Sequence, residues 1–274
     1  MKSLFVILDN SESDINSVIA ALDIANDNSS NVHLINYTEG EYINEKRFVI
    51  DRKASEEECE KYLKTLDDIS KYSFSQAIST LKENGFEDSR IIWHQLCDKT
   101  LRLCPENFIP DLLIMSHTLG EEKVDNNDYI AKKLVNSGIP LYLVPDLLPK
   151  SLNRNIAIAW DGSLNVSRSI SLSHSFIENA DSVEIITVDN NDDEFILPLK
   201  KYLDDYSIEF YHTKLTSGKF SIGELILGEI TNKKSDLLIM GGFSKSIMRE
   251  KMLGGVSQYM LDHSFCPIFI SHTS

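Results

Sequence analysis

Ser235-Asp236-Leu237-Leu238-Ile239-Met240 restates, in the second half of the chain, the segment Pro110-Asp111-Leu112-Leu113-Ile114-Met115 of the first. Two further pairs keep the same order. Leu4-Phe5-Val6-Ile7-Leu8-Asp9-Asn10-Ser11 returns as Ile156-Ala157-Ile158-Ala159-Trp160-Asp161-Gly162-Ser163, an apolar run closing on an acid and a small polar turn. Ile139-Pro140-Leu141-Tyr142-Leu143-Val144 returns as Cys266-Pro267-Ile268-Phe269-Ile270-Ser271. Ordered self-similarity of this kind marks a duplication and decides the fold before local propensity does. In each copy short apolar runs alternate with amphipathic stretches, the pattern of parallel strands buried on both faces by the helices that join them.

The second copy reads as strands over 155–161, 182–188, 207–213, 236–240 and 267–271, with helices near 165–179, 194–205, 219–233 and 246–263. Within 219–233 the stripe Phe220, Ile222, Leu225, Ile226 and Ile230 is expected to face the core, with Glu224, Glu229 and Lys233 outside it. The first copy places strands near 3–9, 31–38, 90–95, 111–115 and 140–144. It is longer in the middle, where Ser55 and Glu58 form a capping box that opens an inserted helix near 55–69, its acids on a solvated face. Pro145-Asp146-Leu147-Leu148-Pro149-Lys150-Ser151 reads as the linker, which gives a first domain over 1–150 and a second over 151–274. The expected fold class is α/β: two tandem, doubly wound, five-stranded parallel-sheet domains. Sheets of this kind bind ligands beyond the carboxyl ends of their strands, where strand order reverses.

Bulk composition narrows the function. The 274 residues are 42% hydrophobic and 25% charged, as in a globular protein with a substantial core. With 42 acids against 27 bases the formal charge is −15, so the general field repels nucleic acid and anionic lipid, and neither is an expected partner. No apolar run is long enough to span a membrane, and the opening run meets Asp9 where a cleavage site would follow, so a cytoplasmic protein is expected. Cys59, Cys97, Cys104 and Cys266 form no CxxC pair and read as reduced thiols. The histidines, His117 the most suggestive among them for its place after a fourth strand, lie scattered without metal-ligand spacing.

The candidate ligand site lies in the second copy. Its fourth strand runs into Met240-Gly241-Gly242-Phe243-Ser244-Lys245-Ser246, and a second glycine pair follows in Gly254-Gly255-Val256-Ser257. Glycines let backbone amides approach phosphate oxygens closely, and the N-terminus of a following helix adds a favourable dipole. The pattern resembles that of the universal stress protein family, whose nucleotide-binding members carry Gly, two residues, Gly, nine residues, Gly, then Ser or Thr. Both halves take part in the resemblance, which implies the adenine nucleotide alpha hydrolase-like fold and the two-domain branch of that family. It implies an adenosine seat at Ala159, Trp160 and Asp161, at Val188, and beside Met240 and Gly241, with phosphates at Gly254, Gly255, Val256 and Ser257. The implied cofactor is ATP or AMP, in the second domain alone.

Two positions depart from the family pattern: Ser244 replaces the second glycine and Gly255 replaces the hydroxyl residue. A left-handed conformation at 244 costs a non-glycine residue roughly 1–2 kcal/mol, and a lost hydroxyl-to-phosphate bond removes roughly 1.5–3 kcal/mol. Together these weaken binding by about two to three orders of magnitude. Ser244, Ser246 and Ser257 offer replacement hydroxyls, and Lys245 a charge. The first copy has drifted further: Ser116-His117-Thr118-Leu119-Gly120-Glu121-Glu122 gives way to Lys123-Val124-Asp125-Asn126-Asn127-Asp128, whose acids repel a triphosphate. No residue stands out as a nucleophile or general base, so a regulatory or stress-tolerance role is expected ahead of catalysis. The rivals are a nucleotide-independent interaction module and an adenylating enzyme of related fold, the latter disfavoured because Asp161-Gly162-Ser163 lacks paired glycines. The apolar last strands, 140–144 and 267–271, are expected to cover each other's edges and make an intrachain pseudo-dimer, with a further homodimer possible.

Overall fold

A computed structural model describes residues 1–8, 13–37, 75–83, 85, 91–96, 109–117, 138–190, 192–242 and 255–272. The helix expected near 55–69, the acidic stretch after His117, and positions 243–254 with Ser244 and Gly254 lie outside these residues. The chain divides into two compact units, Met1–Ser116 and His117–Ser274.

In the first unit the described elements are β1 (Ser3–Leu8), α1 (Asp14–Asn28), β2 (Asn31–Tyr37), α2 (75–83), β3 (Ile91–Leu96) and β4 (Leu112–His117), whose last residue opens the second unit. The strands are parallel in the order β3-β2-β1-β4. Leu4 to Leu8 and Leu112 to Ile114 are buried without alternation, as strands covered on both faces must be.

The second unit contains β5 (Leu141–Pro145), β6 (Asn155–Ala159), α3 (Leu164–Leu172), α4 (His174–Glu178), β7 (Ser182–Val188), α5 (Leu197–Asp205), β8 (Tyr211–Leu215), α6 (Ile222–Lys233), β9 (Leu237–Gly241), α7 (Val256–His263) and β10 (Ile268–Ser271). Its order is β8-β7-β6-β9-β10-β5, parallel throughout except for the last pair. There β5 runs antiparallel to β10, with Phe269 opposite Tyr142. The short last strands of the two sequence repeats therefore lie side by side. This pairing also explains why the spatial division falls before β5, whereas the covalent repeat is read as ending near 150.

The duplication reappears as a hydrogen-bond pattern. The Asp236 Oδ1 accepts the amides of Arg154 at 2.9 Å and Asn155 at 2.8 Å, while its own amide donates to the Asn155 carbonyl at 2.9 Å. Asp111 does the same in the first unit, accepting from Lys2 at 2.6 Å and Ser3 at 3.1 Å and donating to the Ser3 carbonyl at 2.9 Å. In each repeat, then, the acid before the fourth strand pins the start of the first.

Four expected elements are corrected. β8 begins at Tyr211 and not at 207, because α5 closes in a left-handed Ser207 (φ 57°) with the Ile208 amide returning to the Leu203 carbonyl at 2.9 Å, a cap that consumes those residues. α6 starts at Ile222 and not at 219: Ser221 and Glu224 form a full capping box there. Its buried face is Gly223, Ile226 and Ile230, while Phe220 and Ile222 are exposed, and Glu229 and Lys233 turn toward Glu184 on β7. The helix expected over 165–179 breaks at Ser173, whose hydroxyl turns back to the Ile170 carbonyl at 3.2 Å. The stretch expected as helix from 194 opens with a 3-10 turn over Asp193–Ile196. Among the described residues no helix is long and apolar enough to cross a membrane.

Candidate functional site

Strand order in the second unit reverses between β6 and β9, the neighbours from which the chain departs in opposite directions. The crevice at such a point lies beyond the carboxyl ends of the two strands. β6 delivers Ala159 and Trp160, both buried, and then the exposed Asp161. The Trp160 amide donates to the Ile186 carbonyl at 2.9 Å, which holds the end of β6 against β7. Its indole N–H donates to the Phe195 carbonyl at 3.1 Å, and the two rings stand 6.4 Å apart. Asp161 accepts the Ser163 amide at 2.9 Å, and Ser163 in turn caps α3 through the Val166 amide at 3.2 Å. Asp161 is therefore engaged in building the turn.

β9 delivers the buried Met240 and then Gly241. The Met240 carbonyl accepts the Ser169 hydroxyl at 2.7 Å, and Ser169 meets Ser271 at 2.9 Å, so the strand ends are tied by a buried hydroxyl pair. Gly241 is where glycine is required for packing: a Cβ there would lie 2.9 Å from the Val166 nitrogen and 3.1 Å from the Asn165 Cβ. Gly242 donates to the Ser271 carbonyl at 2.8 Å and accepts the Asn165 amide at 3.1 Å.

Gly255, from the second glycine pair, opens the helix that comes back to the first pair. α7 opens on Gly255, whose φ of −75° and ψ of 152° are extended and open to any residue, and among the described residues no side chain caps it. The hydroxyl of Ser257, in the first turn of α7, donates to the Gly241 carbonyl at 3.3 Å. Gly241, Gly255, Val256 and Ser257 are thus gathered at the carboxyl end of β9, beside the N-terminus of α7. Val188 closes β7 on the other side of β6, and there Asp189 (φ 54°) accepts the Ser217 amide at 2.7 Å and the Ser217 hydroxyl. Those two bonds hold the Asp189 carboxyl below its ordinary range.

Sequence reasoning missed Phe195, Asn165 and Ser217. The first has a retrospective signal in Gly162: its φ is 71°, and a Cβ there would sit 2.9 Å from the Phe195 ring, so the glycine leaves room for an aromatic from the next connection. Nothing in the residues alone paired the other two with their partners.

Solved structures repeat this architecture over the whole chain. A universal stress protein from Archaeoglobus fulgidus matches 98% of this chain and 98% of its own, with a TM-score of 0.63 at 14% identity. The chain has the universal stress protein fold. A Pseudomonas aeruginosa protein described as a candidate universal stress protein matches 99% of this chain and 93% of its own, with a TM-score of 0.57 at 12% identity. A functionally unknown protein from the same species matches 99% and 92%, with a TM-score of 0.55 at 13% identity. No family model matches the sequence, and neither does any curated protein.

Within this universal stress protein fold the remaining candidates recede. A shallow cleft of about 420 Å³, lined by Asp204, Ser207, Ile208, Glu209, Phe210 and Tyr211, lies at the amino end of β8, the opposite end from the glycine crevice. Cys266 is buried, and burial pushes its thiol up to about 11, which makes it unreactive. The other three cysteines lie outside the described residues. His117 is buried and its Nε2 lies 2.7 Å from the Leu261 carbonyl, a packing bond. Among the described residues no group of three metal-ligating side chains comes together.

Proposed function

We propose that the chain is a tandem universal-stress-type protein of the cytoplasm, a stress-response binding factor whose second repeat holds a weak site for ATP or AMP. The observation that carries this reading is the return of Ser257 to Gly241 at the carboxyl end of β9, which sets the N-terminus of α7 beside the glycine turn. Amides so placed bind phosphate through hydrogen bonds and the helix dipole. The base side would be bounded by Trp160, Val188 and Met240, with Asp161 near the ribose. Ser244 and Gly254 would complete the seat, as their sequence positions imply.

The second reading is an interaction module without nucleotide, and one observation favours it: Gly241 is already explained by its contact with Val166 and Asn165. Titration calorimetry of the full chain with ATP separates the two. Weak saturable binding at millimolar ATP, tightened about tenfold or more when Gly255→Ser supplies a hydroxyl, supports the site. No heat from either protein at millimolar ATP leaves the interaction module, and release of pyrophosphate with a co-substrate would point to the adenylating enzyme.

A further inference from the structure

We propose that the 3-10 turn Asp193–Ile196, in the connection after β7, is a gate over the base end of the crevice: it lies closed on Trp160 and lifts when a nucleotide base enters. The inference rests on the nucleotide reading above and adds to it what controls access to that site.

Phe195 holds the turn down on the end of β6. The Trp160 indole N–H donates to the Phe195 carbonyl at 3.1 Å, and the two rings stand 6.4 Å apart at 60°. The Phe195 ring also lies over Gly162, where a Cβ would sit 2.9 Å from its Cε2. Trp160 is left 7% exposed, although Asp161 beside it is open to solvent. A base seated on Trp160 needs the face of that ring, because stacking is a contact between faces. Ala159, Val188 and Met240, the other walls of the seat, are fixed in strands of the sheet. Phe195 stands on a connection and is the wall that can give way.

The turn is built to lift. Hydrogen bonds of 3-10 geometry are poorer than those of an α-helix, and here they run from the Glu194 amide to the Asp192 carboxylate at 2.9 Å and from the Phe195 amide to the Asp192 carbonyl at 3.2 Å. Asp192, Asp193 and Glu194 are exposed, so raising them takes no apolar surface out of the core, while the buried Ile196 stays behind as the pivot. The latch is on the outer side, where Asp193 meets Lys214 of β8 at 2.5 Å, the two side chains 82% and 36% exposed. Ion pairs open to solvent hold weakly. A gate closed in about nine molecules of ten lowers the apparent affinity about tenfold.

Titration calorimetry of the full chain compares ATP with inorganic tripolyphosphate, which reaches the glycine turn without using the base seat. Phe195→Ala is expected to tighten ATP about tenfold and to leave tripolyphosphate unchanged. Lys214→Gln gives the sharper sign: loss of a cation alone weakens the binding of an anion, whereas release of the latch tightens ATP, by about threefold or more. It changes a surface position and carries the test if Phe195→Ala does not fold, which circular dichroism checks. With Trp93→Phe as background, Trp160 is the remaining tryptophan, and its emission is expected to shift to the red when ATP is added or Phe195 is removed. ATP bound equally by the wild type and both variants would overturn the gate and leave the nucleotide site standing. Tripolyphosphate tightening as much as ATP would also overturn it, since the turn would then act on the phosphates. Absence of ATP binding in the wild type and in both variants would remove the gate together with the reading on which it rests.

Discussion

Glu184 sits buried in the middle of β7, with the Thr213 hydroxyl donating to its Oε1 at 2.5 Å and Lys233 no nearer than 4.0 Å. Burial holds its carboxyl above the ordinary range, and the adjacent Glu229 adds to the effect. The folded protein therefore binds this proton more readily than the unfolded chain does. The stabilisation from the protonated form is complete below the unfolded value of 4.5 and is lost as pH rises through the higher folded value. Glu184→Gln keeps an acceptor for Thr213 and faces Glu229 with an amide, so at neutral pH it should stabilise the protein by about 1 kcal/mol, or about 2–4 °C in midpoint. Thermal melts across pH check this, and the gain should shrink as the medium is made acid; a gain that does not depend on pH would place the cause elsewhere. Residues also set the limit of what the sequence discloses. Asp161 was read as the end of a strand that in fact stops at Ala159, because its bond to Ser163 belongs to a turn whose geometry no residue pattern states. Glu229 looked solvent-facing by helical phase, and only the partner strand shows that it meets Glu184.

Helix α6 offers a controlled comparison within one element. A Cβ on Gly223 would meet the Tyr259 Cδ1 at 2.5 Å and its Cβ at 2.9 Å, so Gly223→Ala must push α7 away and should cost about 1–3 kcal/mol. Gly228, one and a half turns on, has nothing within 4 Å, and Gly228→Ala should stabilise by roughly 0.5–1 kcal/mol. Denaturant melts of the two variants should move in opposite directions; movement in the same direction would contradict the packing described for α6 and α7. Strands report the duplication in the same way. Asp236→Ala strips two N–H groups of their acceptor at a buried site, at about 1–3 kcal/mol for each group, whereas Asp111→Ala does so at an exposed one and should cost clearly less. The buried strands were readable because runs such as Leu237-Leu238-Ile239 admit no other placement, while β8 was misplaced because the cap that closes α5 at Ser207 depends on a left-handed turn that serine does not announce.

At the scale of the molecule, duplication was legible in three ordered sequence matches, and the fold recurs in structures only 12–14% identical to this chain. Shared fold at such distance rests on which positions are buried, and it leaves function to the crevice and the surfaces around it. The antiparallel pairing of β5 with β10 has a consequence for fragments. Residues 151–274 produced alone lack β5 and expose the apolar edge of β10, so the fragment should elute as a homodimer by gel filtration with light scattering, and a clean monomer would count against the edge-covering role. The central claim is that the β6/β9 crevice of the second repeat, and no other, seats phosphate. A crystal of the full chain soaked in millimolar ATP tests it most directly. The account predicts phosphate density against the amides of Gly255, Val256 and Ser257; density in the first unit instead, or a crevice that stays empty of nucleotide at that concentration, would contradict it.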